Sequence, residues 1–282
     1  MKGAAMKMEG KMLEVNGLNL HVIDEGEGPA VLLIHGFPDT SYVWRHQIPA
    51  LVDAGFRVIA PDVRGFGKSD KPEETAAYGL INLVGDMVGV LDALEIDKAH
   101  VVGHDMGAAI AWVLAAFFPQ RVNSLVPLSV GHPMCTRDRS PEQREKSWYF
   151  LFFQFKGTAE ALLSRNNWKL FREILRDHSE VEKWIEDFSD PQAFTAALNW
   201  YRANLGPEKE LEEPVPIPAV PVSTMGIWSS GDAFLTECPM LCSAEYVTGP
   251  WRYERIEEAS HWLQLDKPAE VNRLLIEFLR EK

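Results

Sequence analysis

One short, unbroken apolar run, Ala30 to Ile34, and three mostly apolar runs, Phe56 to Ala60, Ala99 to Val102 and Val122 to Val130, constrain this chain more than any other feature. A strand that is apolar at every position has no face for water, so it is covered on both sides. Between the runs lie segments with helical spacing of apolar residues, Trp44 to Ala54, Leu80 to Leu94 and Met106 to Phe118. Strand and helix alternate, which predicts a mostly parallel central sheet with helices on both faces. The start differs. Lys11 to Val15 and Leu18 to Asp24 flank Asn16-Gly17 and alternate as an antiparallel hairpin does.

The pattern breaks after the fourth run. From about Met134 to Glu213 no buried strand is evident, and the segment is rich in Trp, Phe, Tyr and charge. The Pro-rich stretch Pro214 to Pro221 reads as a linker. Val220 to Trp228 resumes the sheet, Trp251 to Ile256 is the last strand, and Pro268 to Arg280 is an amphipathic helix. The expected organisation is one α/β core from residues 1–133 and 214–282, carrying a helical cap over 134–213. A chain of 282 residues suits that plan.

Charge and cysteine content narrow the partners. A net charge of -13 repels phosphate backbones, so nucleic acid is not expected to bind. Met1 to Lys11 lacks an apolar core of the kind a secretory signal needs, and no apolar run is long enough to span a bilayer. Cys135, Cys238 and Cys242 are odd in number and form no Cys-x-x-Cys pair. They are expected to be reduced thiols in a cytoplasmic protein, with no disulfide and no metal site. Cys238 and Cys242 are spaced to share a helix face.

Chemistry concentrates where the third run meets its helix. Gly103-His104-Asp105-Met106-Gly107 has the spacing of a nucleophile elbow, a tight strand-to-helix turn. Its glycines let strand and helix close around a strained central residue. Asp105 is also placed to cap the helix. Three further segments favour the nucleophile. His35-Gly36-Phe37-Pro38 follows an early strand, where the Phe37 N–H can join that of Met106 as an oxyanion hole. Asp232 follows Gly231 after a later strand. His261 follows the last strand. Nucleophile, acid and histidine in that order along the chain match a hydrolase triad.

A carboxylate nucleophile implies its own chemistry. An aspartate with an unperturbed pKa of about 3.9 is ionised at neutral pH and needs no base before it attacks. Attack on saturated carbon gives an enzyme ester. A histidine oriented by Asp232 can then activate water to cleave that ester. Epoxides and alkyl halides both suit this scheme. They differ in the leaving group, because an alkoxide needs a strong hydrogen-bond donor and a halide does not.

Nearly the whole chain, from about Leu13 to Leu279, resembles the epoxide hydrolases of the α/β-hydrolase fold. The resemblance rests on His35-Gly36-Phe37-Pro38, Gly103-His104-Asp105, Asp232-Ala233-Phe234, Ser260-His261-Trp262 and Asp266-Lys267-Pro268. Two cap segments add to it, Tyr149-Phe150-Leu151-Phe152-Phe153-Gln154 and Asn199-Trp200-Tyr201-Arg202. It implies that Tyr149 and Tyr201 hydrogen-bond the epoxide oxygen, that Phe37, Pro38, Phe234 and Trp262 contact substrate, and that no cofactor is needed. The partners are then a small apolar epoxide and water, and the assembly a monomer or homodimer. Met106 stands where many relatives carry tryptophan, which predicts a softer pocket floor. It also removes the tryptophan N–H with which haloalkane dehalogenases hold a halide. Ala108 and Ala109 stand where fluoroacetate-type dehalogenases carry an arginine. Dehalogenation and a non-catalytic small-ligand receptor remain the alternatives. His104 is expected to bond within the elbow.

Overall fold

A computed structural model describes residues 9–136, 140–213 and 215–281. The expectations for residues 1–8 and for Pro214 at the head of the linker lie outside that range. Eight strands form one sheet: β1 (Gly10–Val15), β2 (Leu18–Glu25), β3 (Ala30–Ile34), β4 (Arg57–Pro61), β5 (Ala99–His104), β6 (Val122–Leu128), β7 (Ser223–Ser229) and β8 (Trp251–Ile256). Their spatial order is β1-β2-β4-β3-β5-β6-β7-β8. β1 pairs antiparallel with β2, and β2 with β4; every later pairing is parallel. β3, β5 and β7 are buried at every residue, as strands covered on both faces are.

The helices are α1 (Gln47–Asp53), α2 (Leu80–Ala93), α3 (Met106–Phe117), α4 (Pro141–Lys146), α5 (Trp148–Phe153), α6 (Thr158–Ile174), α7 (Val181–Asp187), α8 (Pro191–Asn204), α9 (Cys238–Cys242), α10 (Leu263–Asp266) and α11 (Pro268–Arg280). Strand order dictates their faces. The β3–α1–β4 crossover runs one way along the sheet, whereas β4–α2–β5 and β5–α3–β6 run the other. Right-handed crossovers therefore put α1 on one face and α2 and α3 on the opposite one. α11 packs on α1, and α2 packs on α3. The α/β-hydrolase architecture expected from the sequence is thus present. Helices α4 to α8 are inserted between β6 and β7.

Two features depart from expectation. The segment Trp44 to Ala54 is not one helix: a 3-10 turn over Ser41–Trp44 precedes α1. The cysteines are not all reduced. Cys135 and Cys242 form a disulfide across 107 residues of sequence, while Cys238 is free and exposed. The fold returns Cys242, in α9 after β7, to the segment that leaves β6, and local spacing carries no sign of that approach. The reduced-thiol argument for a cytoplasmic location falls with it. Among the described residues no helix is long and apolar enough to cross a membrane.

Candidate active site

The chain leaves β3 toward β4 and then crosses back to β5, so a crevice opens at the carboxyl ends of β3 and β5. Ligands of open parallel sheets bind at such a switch point. Asp105 stands there, directly after β5 and before α3, with φ 52° and ψ -120°. A non-glycine residue held at positive φ stores strain, which persists only where its surroundings enforce it. Close packing enforces it here. A Cβ on Gly107 would lie 2.1 Å from the Ile34 carbonyl oxygen, and one on Gly103 would lie 2.2 Å from that of Gly107. A Cβ on Gly36 would lie 2.4 Å from Asp105 Cβ. Only glycines let the β3 and β5 turns approach this closely. The Asp105 side chain makes no capping bond to α3. Instead the Phe37 N–H donates to its Oδ1 at 2.9 Å.

The remaining strands bring the partners. Asp232 follows β7 and His261 follows β8, neighbours in the parallel sheet. His261 Nδ1–H donates to Asp232 Oδ2 at 2.8 Å, and His261 Nε2 lies 3.3 Å from Asp105 Oδ2. The N–H groups of Phe234 and Leu235 hold the other Asp232 oxygen, Oδ1, at 2.8 and 2.9 Å. The acid is therefore oriented before it meets the imidazole. The imidazole in turn sits between two carboxylates.

Burial and charge set the protonation states. Burial alone would lower the His261 pKa. Asp232 and Asp105 outweigh it and push the pKa up to about 10. Burial would raise the Asp105 pKa, but the bonds from His261 and Phe37 together with the nearby histidine charge hold it below its ordinary value. The resting pair is thus carboxylate and imidazolium. His104 behaves differently. Burial and the neighbouring His261 push it down to about 3, so it is neutral. It does not bond within the elbow as expected: its Nε2–H donates to the His261 carbonyl at 2.9 Å. The Ser129 hydroxyl donates to the same carbonyl at 3.1 Å, so the His261 backbone is pinned twice.

Phe37, Asp105, Tyr149, Phe153, Ile174, Leu175, Tyr201, Phe234, His261 and Trp262 line one small cavity. Tyr149 and Tyr201 come from α5 and α8 and meet with ring centroids 6.1 Å apart. Burial first, and then Asp105 and Tyr149, keep the Tyr201 phenol protonated well above its usual range. Asp105 retains 16% of its side-chain surface open. Water centres have about 20 Å³ in the cavity, enough for about one water. Phe37, Phe234 and Trp262, expected to contact substrate, lie in this wall. Pro38 and Met106 are buried and do not line this cavity. Sequence reasoning missed Phe153, Ile174 and Leu175. Phe153 lies one turn after Tyr149, a spacing that could have found it; Ile174 and Leu175 carry no motif. Among the described residues no three His, Cys, Asp or Glu side chains cluster as metal ligands. A larger surface cleft of about 460 Å³ lies behind Asp232, without Asp105 or His261 in its walls.

Comparison with known proteins agrees with the fold. The alpha/beta hydrolase fold family matches residues 29–268. The chain is 36% identical to the AB hydrolase superfamily protein YfhM of Bacillus subtilis, covering 96% of this chain and 98% of that one. It is 33% identical to epoxide hydrolase A of Mycobacterium tuberculosis, covering 95% and 96% respectively. Among solved structures, epoxide hydrolase A from Mycobacterium thermoresistibile superposes with a TM-score of 0.82 at 32% identity, covering 96% of this chain and 98% of that one.

Proposed function

Since this chain belongs to the alpha/beta hydrolase fold family, we propose that it hydrolyses epoxides to vicinal diols through a covalent Asp105 ester. One observation carries the reading: two buried tyrosines line one cavity together with the Asp105 carboxylate. A neutral phenol donates a hydrogen bond without needing to lose its charge first. Two phenols facing one oxygen stabilise a developing alkoxide, which a halide would not require.

The two Asp105 oxygens take different parts. Oδ1 is held by the Phe37 N–H, and Oδ2 faces His261. Oδ2 attacks one epoxide carbon, the C–O bond breaks, and the oxygen takes a proton delivered through Tyr149 and Tyr201. Esterification removes the Asp105 charge. His261 then loses one of the two carboxylates that kept it protonated. Its released proton balances the one that the alkoxide gained, so the charge of the site is conserved. The neutral imidazole, held by Asp232, next takes a proton from water. Hydroxide character develops on that water as it attacks the Asp105 carbonyl carbon. Negative charge moves to Oδ1, against the Phe37 N–H and the first free N–H of α3, that of Met106. Collapse expels the alkoxide, which takes the proton from His261; the new Asp105 carboxyl returns its proton to His261, and the diol leaves a restored carboxylate and imidazolium.

Helices α4 to α8, together with their flanks over residues 134–213, act as the cap in this scheme. The cavity has room for about one water, so the side chains that line it rearrange to admit a substrate beneath the cap. A panel of styrene oxide, a fatty epoxide, a haloalkane and an aryl ester tests the assignment. Diol from an epoxide with no halide release supports it. Halide release without diol would replace it with dehalogenation. His261→Gln is expected to trap the ester, seen as substrate mass added to the intact protein.

A further inference from the structure

Asp39 has no part in the chemistry above, yet it is buried beside it. It follows the Phe37-Pro38 turn, and its carboxylate accepts two indole N–H groups. Trp184 Nε1–H donates to Oδ1 at 2.8 Å, and Trp262 Nε1–H donates to Oδ2 at 3.0 Å. All three side chains are at most 3% exposed. Trp184 belongs to α7 of the insertion, and Trp262 directly follows His261. One core carboxylate therefore joins the insertion to the segment that carries the catalytic histidine. The two indoles also touch, with centroids 4.7 Å apart, and the Trp262 ring stands edge-on to His261 at 5.3 Å.

A buried carboxylate is costly to keep, and burial pushes Asp39 up to about 7 against the pull of the two indole bonds. A chain that needed only packing here would do better with an apolar residue. His178, also of the insertion, reinforces the junction. Its ring lies 5.1 Å from that of Trp184 and 4.7 Å from that of Trp262. Trp262 on the core side and Ile174 and Leu175 on the insertion side are opposite parts of one cavity wall.

We propose that Asp39 is a positioning residue, a clasp that holds α7 against Trp262 and so keeps the insertion closed over Asp105 and His261. The free enzyme then spends no substrate binding energy on ordering the insertion. Without the clasp, only a fraction of the enzyme is closed, and the apparent affinity falls by that fraction. Saturating substrate closes the rest, so turnover at saturation is preserved. The kinetic consequence rests on the epoxide reading; the conformational one does not.

Two variants test this at pH 8, where the Asp39 carboxylate is ionised. Trp184→Phe keeps the ring contacts and deletes one donor. Asp39→Asn keeps the shape but can no longer accept from both indoles. Amide exchange over Val181–Asp187 is expected to speed up about tenfold in each, with β3 and β5 unchanged. KM for styrene oxide is expected to rise about fivefold to tenfold while kcat stays within about twofold. Unchanged exchange over α7 in both variants overturns the clasp. So does a fall in kcat at constant KM, which is what simple loss of folded enzyme produces. If the unaltered protein opens no epoxide, the proposed function fails and the exchange result alone decides.

Discussion

Replacing Asp232 with asparagine changes one charge and almost no volume, and the structure dictates how the amide must sit. Oδ1 accepts from the Phe234 and Leu235 N–H groups at 2.8 and 2.9 Å, so the amide oxygen stays there. The amide nitrogen is then forced into the Oδ2 position, 2.8 Å from His261 Nδ1. Two donors cannot face each other. His261 must accept at Nδ1 and carry its proton on Nε2, toward Asp105. In that tautomer it has no lone pair for the hydrolytic water. The same swap in a serine triad costs about 10⁴ in rate, so ester hydrolysis should slow by about 10³ to 10⁴. That corresponds to about 4 to 5.5 kcal/mol of transition-state stabilisation. Ester formation depends on Asp105 and the tyrosines, so it should slow by less than about tenfold. The assay is rapid quench followed by intact mass. Asp232→Asn should accumulate close to one equivalent of alkylated protein, with slow diol release. Turnover within tenfold of the unaltered enzyme, or slow turnover with no adduct, would refute the reasoning.

Further outcomes follow from individual contacts. Tyr201→Phe keeps the edge contacts to Phe37 and Phe153 but removes one of two donors, so kcat/KM for epoxide should fall about 10²-fold with little change in melting temperature; near-normal activity would return this residue to packing. Gly36→Ala places a methyl 2.6 Å from Asp105 Oδ1 and should cut kcat at least about tenfold, to be read in the same preparation as thermal stability. Reduction of Cys135–Cys242 opens a loop spanning 107 residues, for which chain entropy gives about 4 to 5 kcal/mol; urea unfolding with and without reductant measures it, and coincident midpoints would contradict it. The His261 pKa is raised to about 10 from 6.5, so its charge contributes stability that is complete below pH 6.5 and is lost as pH rises through 10. From pH 6 to pH 10 the native protein should therefore lose more melting temperature than His261→Gln does.

Much of this was legible because it is local. Apolar runs such as Ala30 to Ile34 need no tertiary information to read as buried strands, and Asn16-Gly17 specifies its hairpin by backbone geometry alone. The elbow was equally readable, since Gly103 and Gly107 bracket Asp105 within five residues. Asp232 and His261 were found because both follow strands, and the ends of parallel strands collect on one edge of a sheet. The role of His104 was misread for the opposite reason. It sits in a local motif, but its bonding is decided by the His261 backbone that packs against it from elsewhere.

The sequence by itself therefore determined the strand–helix order, the elbow and the residue types of the site, because each is a short-range pattern with one backbone solution. Only the tertiary structure decided which groups meet across the chain. It bonded Cys135 to Cys242, gave the His261 carbonyl to His104, and closed Ile174 and Leu175 over the cavity. It set Asp39 between indoles 145 and 223 residues away. Such contacts depend on how the insertion lands on the sheet, which is settled by packing of whole surfaces and leaves no periodic trace in either segment.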